Sequence, residues 1–388
     1  PKSSNKWVES FTSPSTQKLK KADAMNHPQR IGIAGAGLLG RLAAWTLARQ
    51  GHQVSVFDPA EGPGPSFDGQ GPAGFTAAGM LSPLAELDAA EEDVAARGWH
   101  AIARWADITA ELGRLHTRAP HFNRDGSLMV AHGADVGSAR RVLSRIEAAA
   151  QNWPQQAHVL SPLQLAQLEP ALHGSNGPLH AWMLPGEGAI CTVGTLKALQ
   201  ATAPHVQWHW QHRVTQLGAG SLTAERLQTT SEPAQAQPFD WVFDLRGAGA
   251  RPQTPVRGVR GEVIWLHAPG VTLNRPVRLL HPRHRVYIVP RPGDVILIGA
   301  SEIESEDRSP VSLRSAVELM AAAHSVIPAL AEARILRMDV NLRPALPDNR
   351  PEVHVESGLV RINGLYRHGW LLAPSLLDEA LARTDLLN

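Results

Sequence analysis

Three glycines and one acid stand in a spacing that suits phosphate and ribose. Gly35, Gly37 and Gly40 form a G-x-G-x-x-G run, and Asp58 closes the next apolar segment. Glycine there lets the backbone turn tightly and approach a pyrophosphate, while a helix opening at Leu38 and Leu39 offers free N–H groups and a positive dipole end. Asp58 is placed to accept hydrogen bonds from ribose hydroxyls. The chemistry is dinucleotide binding. The run alone does not choose between a nicotinamide and a flavin.

The elements around these residues read as a βαβ unit. Ile31 to Ala34 is a short apolar strand, Leu38 to Gln50 a helix stopped by Gly51, and Gln53 to Phe57 a second strand. A Gly/Pro-rich loop, Pro59 to Phe75, leads into the small-residue stretch Thr76, Ala77, Ala78, Gly79, Met80, which permits close approach of backbone to a ligand. Helical patterns follow at 89–118, 140–151, 161–172 (with Ser161 as N-cap), 192–203 and 313–333. Strand-like runs lie at 126–132, 239–244, 261–268, 285–291 and 294–302, the last two joined by a Pro-Gly-Asp turn. Residues 206–214 alternate and read as one strand, with Val206, Trp208 and Trp210 on one face. His205, His209 and His212 are therefore read as strand positions, and no metal site is assigned.

The chain has 388 residues, enough for two domains. Its net charge of +1 provides no field that favours nucleic acid. No apolar stretch reaches the roughly 20 residues that span a bilayer. A single cysteine, Cys191, excludes an internal disulfide and fits a cytoplasmic location; it reads as a structural thiol. Residues 1–28 are polar and rich in Ser and Lys and read as a disordered extension, with Met25 as a natural start.

Several segments together resemble the FAD-dependent amine and amino-acid oxidases of the D-amino-acid oxidase superfamily, glycine oxidases in particular. They are IGIAGAGLLG, TAAGML, DLRGAGA, GEVIWLHAPG, VYIVPRPGDVILIGASE, NLRPALPDNRP and LYRHGWLLAP. The resemblance implies an α/β fold (α+β overall). A discontinuous Rossmann-type FAD-binding domain would comprise 29–88, 155–258 and 335–388. A substrate domain with a mixed or antiparallel sheet would comprise 89–154 and 259–334. It implies non-covalent FAD. Gly35, Gly37, Gly40 and Asp58 would hold the ADP half, and Thr76 to Met80 would pass the flavin ring. Gly247 and Gly249, with His368, Gly369, Trp370 and Leu371, would complete the cofactor site. Arg343 would pair with a substrate carboxylate beside the flavin, Tyr287 would line that pocket, and Arg367 would belong to the final loop. A helix N-terminus after LLAP would point its dipole at the flavin.

The implied reaction is oxidation of a small amino acid, by hydride transfer to flavin, to an imine, with oxygen reduced to peroxide. The alternatives are a dehydrogenase feeding a quinone or another electron acceptor, and a flavin-binding component without turnover. Arg343 also reads as half of a structural ion pair, and Arg367 as a solvated cation. Homo-oligomerisation is compatible with the sequence. The chain departs from the pattern at Asp58 (usually Glu), Asn341 (commonly Gly), Leu365 (often His) and Glu302, where some glycine oxidases carry an apolar residue.

Overall fold

The computed structural model describes residues 27–88, 92–151, 153–172, 177–228, 234–282 and 285–387. Apart from residues 27 and 28, the expected N-terminal extension lies outside the described residues.

Two sheets organise the chain. The first has six strands in the order Glu352–Glu356, Leu359–Asn363, Trp241–Asp244, Arg30–Ala34, Gln53–Asp58, Gln207–Trp210. Its pairs are parallel except at the Glu352–Glu356 edge. Parallel strands need crossover connections and cover on both faces. Helices Leu38–Arg49, Glu92–Leu115, Thr192–Thr202 and Gly369–Leu381 contribute to the core on this sheet, with Ile31, Ile33, Leu42, Trp105 and Leu372 at its centre.

The second sheet has eight strands, in the order Arg334–Ala345, Arg257–His267, Val295–Gly299, Arg285–Arg291, Val277–Leu280, Ser127–His132, Leu179–Leu184, His158–Leu160. It is mixed, with a single parallel pair between Val277–Leu280 and Ser127–His132. Its core gathers Ile264, Ile288 and Ile298 under helix Leu313–Val326. The Pro-Gly-Asp turn closes as expected, with Gly293 and Asp294 both at positive φ.

Four expectations change. Strand pairing places 334–345 in the second sheet, not with the first, because Arg334–Ala345 runs antiparallel along nearly the whole of Arg257–His267, and places 179–184 and 158–160 there through Ser127–His132. The helix at Glu92–Leu115, expected in the substrate domain, instead packs its apolar stripe (Ile102, Trp105, Ile108, Leu112) into the first core. The 206–214 run splits at Gln211, whose φ of 59° breaks the extended backbone. The helix from Leu313 ends at Val326, since Pro328 cannot continue it.

Candidate active site

The three glycines do three different jobs. Gly35 sits at φ +99°, and a Cβ there would stand 2.8 Å from the Leu245 carbonyl oxygen. Its N–H donates to the Phe57 carbonyl at 2.8 Å, closing the turn onto the second strand. A Cβ at Gly40 would stand 1.8 Å from the Gly35 oxygen, so Gly40 allows helix to lie on strand. At Gly37 a Cβ would meet only Pro72, at 3.7 Å, so this backbone borders open space. Gly37 is also the N-cap of helix Leu38–Arg49 and no side chain caps it, which leaves first-turn N–H groups for an anion.

Asp58 is buried and pins this loop. Its Oδ2 accepts from Ala36 N–H at 2.6 Å and its Oδ1 from Ala60 N–H at 2.9 Å. Burial pushes its pKa up against these bonds and the Arg41 charge. Each carboxylate oxygen can accept more than one bond, so capacity for a ribose hydroxyl remains.

Small residues shape the middle of the site. Gly79 takes φ +64° where a Cβ would stand 2.3 Å from the Ile190 oxygen. The departure at Asn341 is a tie: buried, it donates from Nδ2 to the Gly71 carbonyl and the Thr76 hydroxyl, both at 3.1 Å. Helix Gly369–Leu381 starts before LLAP rather than after it, with Pro374 inside. Proline lacks the N–H that would bond the Trp370 carbonyl. That carbonyl accepts from Trp105 Nε1 instead, at 2.8 Å. The helix start at Gly369 has no side-chain cap.

Arg343 and Tyr287 come together at the far end. Arg343 Nη1 donates to the Arg260 carbonyl at 3.2 Å and Nη2 to the Ser301 carbonyl at 3.0 Å. Among the described residues no acid lies in ion-pair range of it. Burial pushes the Tyr287 hydroxyl pKa up, opposed by the nearby Arg343 charge. Two strand glycines make room: a Cβ at Gly261 would stand 2.6 Å from Arg343 Nη1, and one at Gly299 2.6 Å from the Tyr287 ring.

Arg367 is neither solvated nor free. Its Nη2 lies 2.9 Å from Glu86 Oε2 and its Nη1 3.8 Å from Glu302 Oε2, while Nε lies 3.2 Å from His368 Nε2. Glu86 also holds His368 Nε2 at 3.0 Å and Arg278 Nη2 at 3.3 Å. Burial alone would raise the Glu86 pKa; the His368 hydrogen bond and the charges of Arg278, His368 and Arg367 outweigh it and hold the carboxyl well below its usual range. The Tyr366 hydroxyl donates to Glu302 Oε1 at 2.5 Å, and burial with that carboxylate pushes its pKa up to about 12.

These groups line one cleft of about 2260 Å³, bordered by residues of both sheets. It runs from Gly35, Gly37 and Asp58 past Thr76–Met80, Gly247 and Gly249 to Tyr287, Arg343 and Arg367. Leu38, Leu39, His368, Gly369, Trp370 and Leu371 line it too; of the expected site residues only Gly40 does not. Residues 30–378 match the family described as FAD dependent oxidoreductase. The chain belongs to that family. It is 37% identical over 355 residues to a Rhizobium etli protein named as the thiamine biosynthesis oxidoreductase ThiO, covering 91% of this chain and 96% of the relative. It is 24% identical over 379 residues to the glycine oxidase of Geobacillus kaustophilus, covering 90% and 91%. The glycine oxidase structure from Bacillus cereus superposes with a TM-score of 0.76 at 21% identity, covering 92% of this chain and 96% of that one.

FAD is therefore the cofactor of this family member, and the cleft fits it. The unobstructed Gly37 backbone and two uncapped helix starts, at Leu38 and Gly369, offer N–H groups to anionic or electron-rich parts of such a molecule. Sequence reasoning missed Arg41, which lies buried under the glycine loop, donates to the carbonyls of Ala36, Leu196 and Pro63, and has its pKa lowered by burial to about 10. An arginine inside an otherwise apolar helix was the available signal. Glu86 and Arg278 were missed because they meet only through the fold.

Proposed function

We propose that this FAD-dependent oxidoreductase oxidises a small amino acid. The observation that carries the reading is Arg343, a guanidinium with no acid partner among the described residues, beside Tyr287 in the same cleft as the dinucleotide loop. A planar guanidinium takes a carboxylate through two parallel hydrogen bonds. Arg343 keeps its plane fixed by donating to two backbone carbonyls, so the substrate's carboxylate would bind in one orientation. Tyr287 would add a hydroxyl contact and, with its pKa raised, stay protonated. Bound FAD would supply the hydride acceptor. The names of the relatives, ThiO and glycine oxidase, support glycine or a similarly small amino acid as substrate.

The FAD is held without a covalent bond in this reading; Cys191 does not line the cleft. Gly35, Gly37, Asp58, Gly247, Gly249 and the 76–80 stretch hold it, with Gly369 to Leu371 at its other side. Oxygen is the proposed final electron acceptor. Anaerobic addition of glycine, sarcosine and small D-amino acids to the yellow protein should bleach the flavin, and readmitted oxygen should restore it with formation of peroxide. A flavin that no amino acid bleaches would refute the activity. Slow recovery in oxygen would favour a dehydrogenase.

A further inference from the structure

Arg343, Arg278 and Arg367 line the proposed substrate pocket, while Arg291, buried behind Tyr287 and donating to the Ala78 carbonyl, does not line the cleft. Arg278 stands directly across the strand pair from Tyr287. It is balanced by Glu86 at 3.3 Å. Arg367 is balanced by Glu86 at 2.9 Å and by Glu302 at 3.8 Å. Of these three cleft-lining arginines, only Arg343 has no carboxylate in ion-pair range among the described residues. Without Glu302, one carboxylate, Glu86, would serve two guanidiniums and His368, and the pocket would have a second cation to offer.

Glu302 is held where it matters. It follows Ser301, whose carbonyl fixes Arg343, and the Tyr366 hydroxyl donates to it at 2.5 Å. Glu302, Tyr366, Arg367 and Arg343 all line the cleft. We propose that Glu302 makes the pocket selective for substrates with a single carboxylate, by consuming the second cation and repelling a second anion. This rests on reading Arg343 as the substrate-carboxylate anchor. Zwitterionic monocarboxylates such as glycine fit; iminodiacetate and acidic D-amino acids carry one negative charge too many. The Glu302 side chain is 48% exposed, so water and salt weaken the effect without removing it.

The test uses FAD-loaded protein with acetate and malonate as probes, read by perturbation of flavin absorbance, and glycine and iminodiacetate as substrates. Wild type should prefer acetate to malonate, less so at high salt. Glu302→Gln, nearly the same shape without the charge, should shift the malonate-to-acetate ratio toward malonate by roughly threefold, the size of a half-exposed charge interaction. The iminodiacetate-to-glycine ratio of kcat/KM should shift the same way. Tyr366→Phe keeps the charge and should keep the preference; its loss would overturn the charge account. An unchanged ratio in Glu302→Gln, with glycine still bleaching the wild-type flavin, overturns the selectivity alone. A wild type that binds neither carboxylate overturns selectivity and anchor together.

Discussion

Gly261 is the floor beneath Arg343: a Cβ on Gly261 would stand 2.6 to 2.7 Å from three atoms of the Arg343 guanidinium. Glycine weakens a strand interior, so its presence in the long Arg257–His267 strand has a local cause. The obstructed atoms are the far end of a flexible side chain. Gly261→Ala should therefore fold, retain FAD and raise KM for the amino acid by displacing the guanidinium. Thermal melting and flavin content should stay close to wild type. In an Arg343→Lys background the same change should add little. Equal effects in both backgrounds would show that Gly261 acts elsewhere.

Arg343→Lys keeps the charge and loses the planar fork. A hydrogen bond to a charged group contributes on the order of 1.5–3 kcal/mol, so roughly tenfold or greater weakening of substrate binding is expected. Flavin content should be intact. Wild-type kinetics in this variant would remove Arg343 from the substrate site.

Asp58→Ala removes acceptors from the N–H groups of Ala36 and Ala60 and, in the proposed site, from the ribose. Two outcomes are expected together: a higher FAD dissociation constant and lower stability of the FAD-free protein. Equilibrium dialysis and denaturant titration measure them separately. Lower stability with unchanged FAD affinity would confine Asp58 to holding the loop.

Glu187 is fully buried, accepting from the Ala85 N–H at 2.8 Å and the Ser127 hydroxyl at 2.5 Å. Burial, only partly offset by these bonds and Arg278, pushes its pKa up to about 7 from 4.5. An acid whose folded pKa lies above its unfolded one stabilises the fold at low pH and loses that contribution as pH rises between the two values. The Glu187 contribution should fall between about pH 4.5 and 7. Glu187→Gln, which resembles the neutral acid, should narrow the gap between melting temperatures at pH 5 and pH 8. An equal gap in both proteins would place the titration elsewhere.

Local rules made part of this protein legible from its residues alone. A strand, a tight glycine turn, a helix and an acid each follow from a short stretch, so the dinucleotide site could be read from Gly35 to Asp58. The hairpin at Gly293 and Asp294 and the capping box at Ser161 are equally local. Tertiary structure decided what depends on partners distant in sequence. Arg343 is proposed as an anchor rather than half of an ion pair because, among the described residues, the fold brings it two carbonyls and no acid. Arg367 loses its freedom to Glu86, which lies far away in the chain. Helix Glu92–Leu115 and strand Arg334–Ala345 joined unexpected layers because an apolar stripe or an open sheet edge shows what will be buried, not which surface will bury it.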